Sequence, residues 1–104
     1  MSQFDHDIFA RELNTKFRLK VGDKDIDLRL ADVSRYLPQE NEQGGMERFS
    51  LLFEGPAGPL LRQAMYSMSH ETLGAVEIFI VPLAQDSEKT SYEAVFNYFK
   101  RPDQ

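Results

Sequence analysis

Between Lys16 and Leu30 the chain alternates polar and apolar residues without a break on either side of one polar turn. Phe17, Leu19 and Val21 interleave with Lys16, Arg18 and Lys20, and Ile26, Leu28 and Leu30 interleave with Asp25, Asp27 and Arg29. Successive side chains of a strand point to opposite faces, so this is an antiparallel hairpin with one apolar and one charged face. A one-residue slip would turn every apolar side chain to water, which pins the register. The pattern predicts that Phe17, Leu19, Val21, Ile26, Leu28 and Leu30 face a core while Lys20 and Asp27 stay outside. Gly22 to Asp25 reads as a four-residue turn, so that Lys20 faces Asp27 across the ladder, worth about 0.2–1 kcal/mol.

The rest of the chain supplies partners for that hairpin. Ahead of it, Asp5 reads as an N-cap, Asp7 as a first-turn acid, and Ile8, Phe9 and Leu13 as one face of a helix of about ten residues that stops at Asn14. So short a helix must pack on something. Further strands are expected over Arg48 to Glu54, with Phe49, Leu51 and Phe53 on one face, and more weakly over Gln63 to Ser69. His70 to Gly74 reads as a turn closed by glycine. Val76 to Leu83 is apolar on both faces and is expected to be central and buried, with Pro82 marking its end or an edge position. Ser91 to Phe99 alternates again. Pro38 to Gly45 and Gly55 to Pro59 read as loops. Six short strands with one leading helix predict a mainly β protein, a six-stranded antiparallel sandwich or partly open barrel with a short N-terminal helix.

Length and charge bound what such a fold can do. The 104 residues are enough for a single domain spanning 1–104 and one core. Acids and bases are spread evenly, 10 against 8 over residues 1–52 and 7 against 4 over 53–104, so no charged tail separates from a body. The net charge of −5 argues against a phosphate-backbone or anionic-membrane partner. With 0 cysteines there is no thiolate chemistry, and no apolar run is long enough to cross a membrane. With a polar N-terminus as well, the expected location is the cytoplasm.

Each chemical motif also has a structural reading. Asp23, Asp25 and Asp27 invite a calcium loop, but the glycine and glutamate positions of such a loop fall on Leu28 and Ser34. His6 and His70 lie in separate segments, so no metal and no cofactor are expected. His70 and Glu71, near Ser67 and Ser69, can be drawn as a base beside a nucleophile, although no G-x-S-x-G elbow is present. The glycines of GPAGP (Gly55 to Pro59) lack the ending of a phosphate loop. Tyr92, Phe96, Tyr98 and Phe99 lack the positive groove that base stacking requires. Met65 and Met68, flanking Tyr66, fit either an adaptable contact surface or a core.

Several blocks in order, FSLLFEGP (Phe49 to Pro56), Tyr66, His70, Leu73–Gly74, FIVP (Phe79 to Pro82) and YEAVFN (Tyr92 to Asn97), resemble an uncharacterised family of small bacterial domains. The resemblance covers residues 8–98 and implies association with phage-tail-collar-like proteins; it carries no activity, catalytic residue or cofactor. The chain departs from that family at LLRQAMY (Leu60 to Tyr66), where the family carries proline and glycine. The expectation is a non-enzymatic protein-binding or assembly module, an accessory of a phage-derived or surface-displayed assembly, that acts on a protein partner or on itself. Its candidate contact residues are Tyr98 and Phe99, on a C-terminal strand read as a sheet edge, together with Tyr66 and Met68. The alternative is a small hydrolase or small-ligand-binding domain using His70 and Glu71. A His70 exposed at a turn without a cleft would remove that alternative's site.

Overall fold

The structure, a computed structural model, describes residues 6–35, 46–58 and 60–99, excluding the side chains of residues 46, 47 and 97–99. The expected hairpin forms from β1 (Lys16–Val21) and β2 (Lys24–Arg35). Phe17, Leu19, Ile26, Leu28 and Leu30 all face inward and are buried. The turn, however, is Gly22–Asp23 alone, with Val21 paired to Lys24 and Gly22 at φ +61°. A glycine at the first of two turn positions is the hairpin solution that matches the strand twist. The tighter turn moves each partner by two residues and so keeps the faces. Arg18 therefore pairs with Asp27 and Lys20 with Asp25, in place of Lys20 with Asp27. It also lifts Val21 to the hairpin tip, where it is 43% exposed and outside the core expected for it.

Four further strands follow: β3 (Met46–Pro56), β4 (Ala64–His70), β5 (Gly74–Gln85) and β6 (Lys89–Phe99). All neighbours are antiparallel, and the order β1-β2-β3-β6-β5-β4 closes into a barrel. The closing seam is Phe17 with His70, Arg18 with Ser69 and Leu19 with Met68. Closure removes the outer edges of a sheet. For β6, however, closure is partial: the strand lies between β3 and β5 only as far as Glu93, and among the described residues Ala94–Phe99 pairs with β3 alone, so its C-terminal end keeps the open edge expected of it.

The interior is filled by alternate residues of all six strands, among them Phe49, Leu51, Phe53, Met68, Val76, Ile78, Ile80, Tyr92 and Ala94. Gly55 and Pro56 belong to β3 and not to a loop, with Gly55 opposite Thr90. A Cβ at Gly55 would come to 2.5 Å from the buried Leu28 Cδ2 atom, so a side chain there would require Leu28 or the strand to shift. β5 is buried on one face only. Phe79 is 45% and Leu83 54% exposed, against the two-sided burial expected. Pro82 stands where the β5–β6 register shifts, a bulge that spares it a ladder bond.

Helix α1 (His6–Arg11) is shorter than expected. Asn14 at φ +71° ends the following turn, and its N–H donates to the Leu30 carbonyl at 2.7 Å. Phe9 inserts from this helix into the barrel core, with ring centroids 5.4 Å from Phe96, 6.0 Å from Phe49 and 6.4 Å from Phe17. Phe49 and Phe96 stack at 4.8 Å. Leu13, assigned to the same apolar face by spacing, is 42% exposed because the helix ends before reaching it. The Asp5 cap and the Pro38 to Gly45 loop lie outside the described residues.

Candidate functional site

His70 is the last residue of β4, not part of the turn, and the turn itself is Glu71 to Leu73 with Gly74 at φ +78°. Its ring is buried and lies 4.4 Å from that of Phe17. Nδ1 accepts the N–H groups of Thr72 (3.0 Å) and Leu73 (3.1 Å). Two donors on Nδ1 assign the proton of the neutral ring to Nε2. That nitrogen donates to Thr15 Oγ1 at 2.7 Å, and the Thr15 hydroxyl donates onward to the Glu12 carbonyl at 2.6 Å. The Glu12 carboxylate stands 3.6 Å from Nε2.

A general base must aim a lone pair at the hydroxyl it activates. His70 aims a hydrogen. The sequence offered Ser67 and Ser69 as nucleophiles, but both hydroxyls point elsewhere, Ser67 to Glu77 and Ser69 to the Arg18 carbonyl, each at 3.4 Å. Glu71 is exposed beside an open groove of about 450 Å³ that His70, Thr15 and Glu12 line together with Asn14, Lys16 and Arg29, so His70 is neither exposed nor without a cleft and the alternative keeps its site. Thr15 and Glu12 were missed by sequence reasoning. They reach His70 from 55 and 58 positions away in the chain through barrel closure, and no local spacing announces that.

The outward faces of β1 and β2 form a closed set of ion pairs. Asp27 takes Arg18 at 2.8 Å with Lys16 at 3.9 Å, and Lys20 lies 3.9 Å from Asp25. Glu54 takes Arg29 at 2.5 Å and Lys89 at 3.0 Å. The hydrogen bond from Arg18 holds the Asp27 carboxyl below the usual carboxylate range, and those from Lys89 and Arg29 do the same for Glu54. Two of the three acidic residues read as a calcium motif, Asp25 and Asp27, are thus partnered by cations. Among the described residues no group of three or more His, Asp or Glu is placed to hold a metal.

The other side of the barrel is different. Met65 and Phe79 are direct cross-strand partners with their side chains outside, 59% and 45% exposed. Val95 on the outward face of β6 is 57% exposed. Glu77, two residues before Phe79, and Glu93, opposite Val81, flank these apolar groups. Among the described residues neither glutamate has a cationic partner, and Glu77 meets only the Ser67 hydroxyl. Among the described residues, the ladder along Gly74–Ile80 joins β5 to β4 alone, and along Ala94–Phe99 it joins β6 to β3 alone.

The residues expected to make contacts are scattered by this geometry. Met68 is 2% exposed and belongs to the core, so it is withdrawn as a contact residue; inward alternation on β4 decides this. Tyr66 is half-buried against the same core, and its hydroxyl donates to the Arg62 carbonyl at 2.8 Å. Tyr98 and Phe99 pair through their backbones with Glu47 and Met46; their side chains lie outside the described residues.

A family model described as a domain of unknown function (DUF6916) matches residues 4–96. The chain belongs to that family. The matched span takes in α1 and every strand except the last three residues of β6, so the family's unit is the barrel with its helical plug. Neither the curated proteins nor the solved structures give a match. Among the described residues no helix is long and apolar enough to cross a membrane.

Proposed function

We propose that this domain is a non-enzymatic protein-binding module, working as an accessory of a protein assembly. The observation that carries the reading is the exposed cross-strand pair of Met65 and Phe79, with Val95 also outward on β6, on a barrel that elsewhere carries a paired set of charges. Large apolar groups gathered outside, on strands whose interiors are already filled, are what a partner surface needs. The polarity of the His70–Thr15 contact counts against the hydrolase reading, because Nδ1 is taken by the turn amides and Nε2 donates to the Thr15 hydroxyl, which leaves no lone pair to activate a nucleophile. The phage-derived or surface-displayed setting is carried by the sequence resemblance alone. Its test is photo-crosslinking in the native host from a reactive residue placed at position 79, with position 18 on the ion-paired face as control. Specific protein adducts from position 79 are expected. Adducts no more frequent than from position 18, or turnover of a substrate that depends on His70, would overturn the reading.

A further inference from the structure

We propose that the partner of the β4–β5–β6 face is an extended segment of a different protein, apolar at its centre and basic at its flanks, lying along β5. The inference rests on the protein-binding reading above and specifies its chemistry. Along β5 the outward row is Glu77, Phe79, Val81, one side chain per two residues, with Met65 beside Phe79 and Glu93 beside Val81. Side chains on one face of a strand recur about every 6.5–7 Å, and an extended segment has the same repeat, whereas a helix does not. Such a segment can set a cation at Glu77, apolar side chains at Phe79 and Val81, and a cation at Glu93. The stretch of β5 from Gly74 to Ile80, joined among the described residues by ladder to β4 alone, adds a backbone edge next to this row.

Charge chooses the occupant. Neither Glu77 nor Glu93 is matched by a cation among the described residues, so each carries its charge at the rim of an apolar patch. A second copy docked face to face would bring four carboxylates around one apolar centre, and like charges across an interface are strongly disfavoured. A second copy offering its β1–β2 face would bring cations already engaged, Arg18 with Asp27, Lys20 with Asp25 and Arg29 with Glu54. Both self-association modes fail where a basic foreign segment succeeds.

The test titrates the purified full chain with two short synthetic peptides whose alternate residues share one face, a Lys–Val peptide of sequence Lys-Ser-Val-Ser-Val-Ser-Lys and a Glu–Val peptide of sequence Glu-Ser-Val-Ser-Val-Ser-Glu. The Lys–Val peptide is expected to bind at least about tenfold more tightly than the Glu–Val peptide, and Phe79→Ser to weaken it by about tenfold or more. The pair Glu77→Gln with Glu93→Gln should erase the preference, while Asp23→Asn with Glu88→Gln, equal in charge but remote, should leave it. Phe79 is exposed, and a circular dichroism melt, with Met65→Ser as a second variant, confirms that the barrel persists. Equal binding of both peptides, no binding, equal loss in the remote variant, or light scattering that shows a dimer abolished by Phe79→Ser would each overturn the inference. Specific adducts from position 79 alongside a failed Lys–Val titration would sink this inference alone. Absence of such adducts sinks the protein-binding reading as well.

Discussion

The backbone N–H of Leu61 donates to the hydroxyl of Tyr92 over 3.0 Å, across 31 residues of chain. Leu61 follows β3 and Tyr92 lies in β6, and both are nearly fully buried. The bond fixes the connection between β3 and β4 over the barrel wall. Tyr92→Phe keeps the ring and removes the acceptor, leaving a buried amide without a partner. The expected cost is about 1–3 kcal/mol. Urea unfolding should show a lower midpoint with an unchanged slope, and an unchanged midpoint would mean that solvent reaches that amide.

His70 serves three partners at once: the amides of Thr72 and Leu73 and the hydroxyl of Thr15. His70→Leu removes them all, and a loss of about 2–4 kcal/mol is expected from the orphaned groups. His70→Asn, whose side-chain carbonyl can accept the turn amides, should recover part of it. Thermal melts of the two variants give the comparison, and equal stability of both would refute the role assigned to Nδ1.

Gly55→Ala should cost about 1–3 kcal/mol, as overpacking of a full core does. The new methyl meets the buried Leu28 side chain. Leu28→Val in the same chain makes room, so the double variant should lose less than the sum of the single losses. Strict additivity in chemical denaturation would show that the strand shifts instead.

Acid should weaken the fold through the carboxylates that the native state holds ionised. Glu54 is depressed by hydrogen bonds from Lys89 and Arg29, Asp27 by Arg18, and Asp86 by the amides of Glu88 and Lys89. A carboxyl with a lowered folded-state pKa stabilises above its unfolded pKa, and the contribution is lost as the pH falls through the folded value. Stability should therefore be level from neutrality down to about pH 5 and decline below about pH 4.5, where free carboxyls begin to protonate. Glu54→Gln should flatten part of that decline. A decline equally steep in the variant would remove Glu54 from the account.

Much of the strand set was legible because alternation is local. The faces of β1 and β2 follow from Phe17 through Leu30, and Phe49, Leu51 and Phe53 are buried as their spacing requires. Less was legible in the candidate sites. Met68 and Tyr66 read as contact residues, yet Met68 lies inside, because it stands three positions from the exposed Met65 on β4 and an odd separation turns the two to opposite faces. His70 read as a turn residue, and its bonds to Thr15 and near Glu12 exist only because β4 closes onto β1.

Sequence by itself determined the hairpin, the apolar face of each clearly alternating strand, the presence of the leading helix though not its end, and the even charge without a thiol or a basic tract. These depend on side-chain period and backbone freedom within a few residues. The tertiary structure decided the rest: closure through Phe17 and His70, the plug at Phe9, and the placing of β6 between β3 and β5. It also decided what an evenly apolar strand could not state about itself. Ile78, Phe79 and Ile80 are alike in hydrophobicity, but a barrel has one interior, and the odd member of the three is turned to the outside.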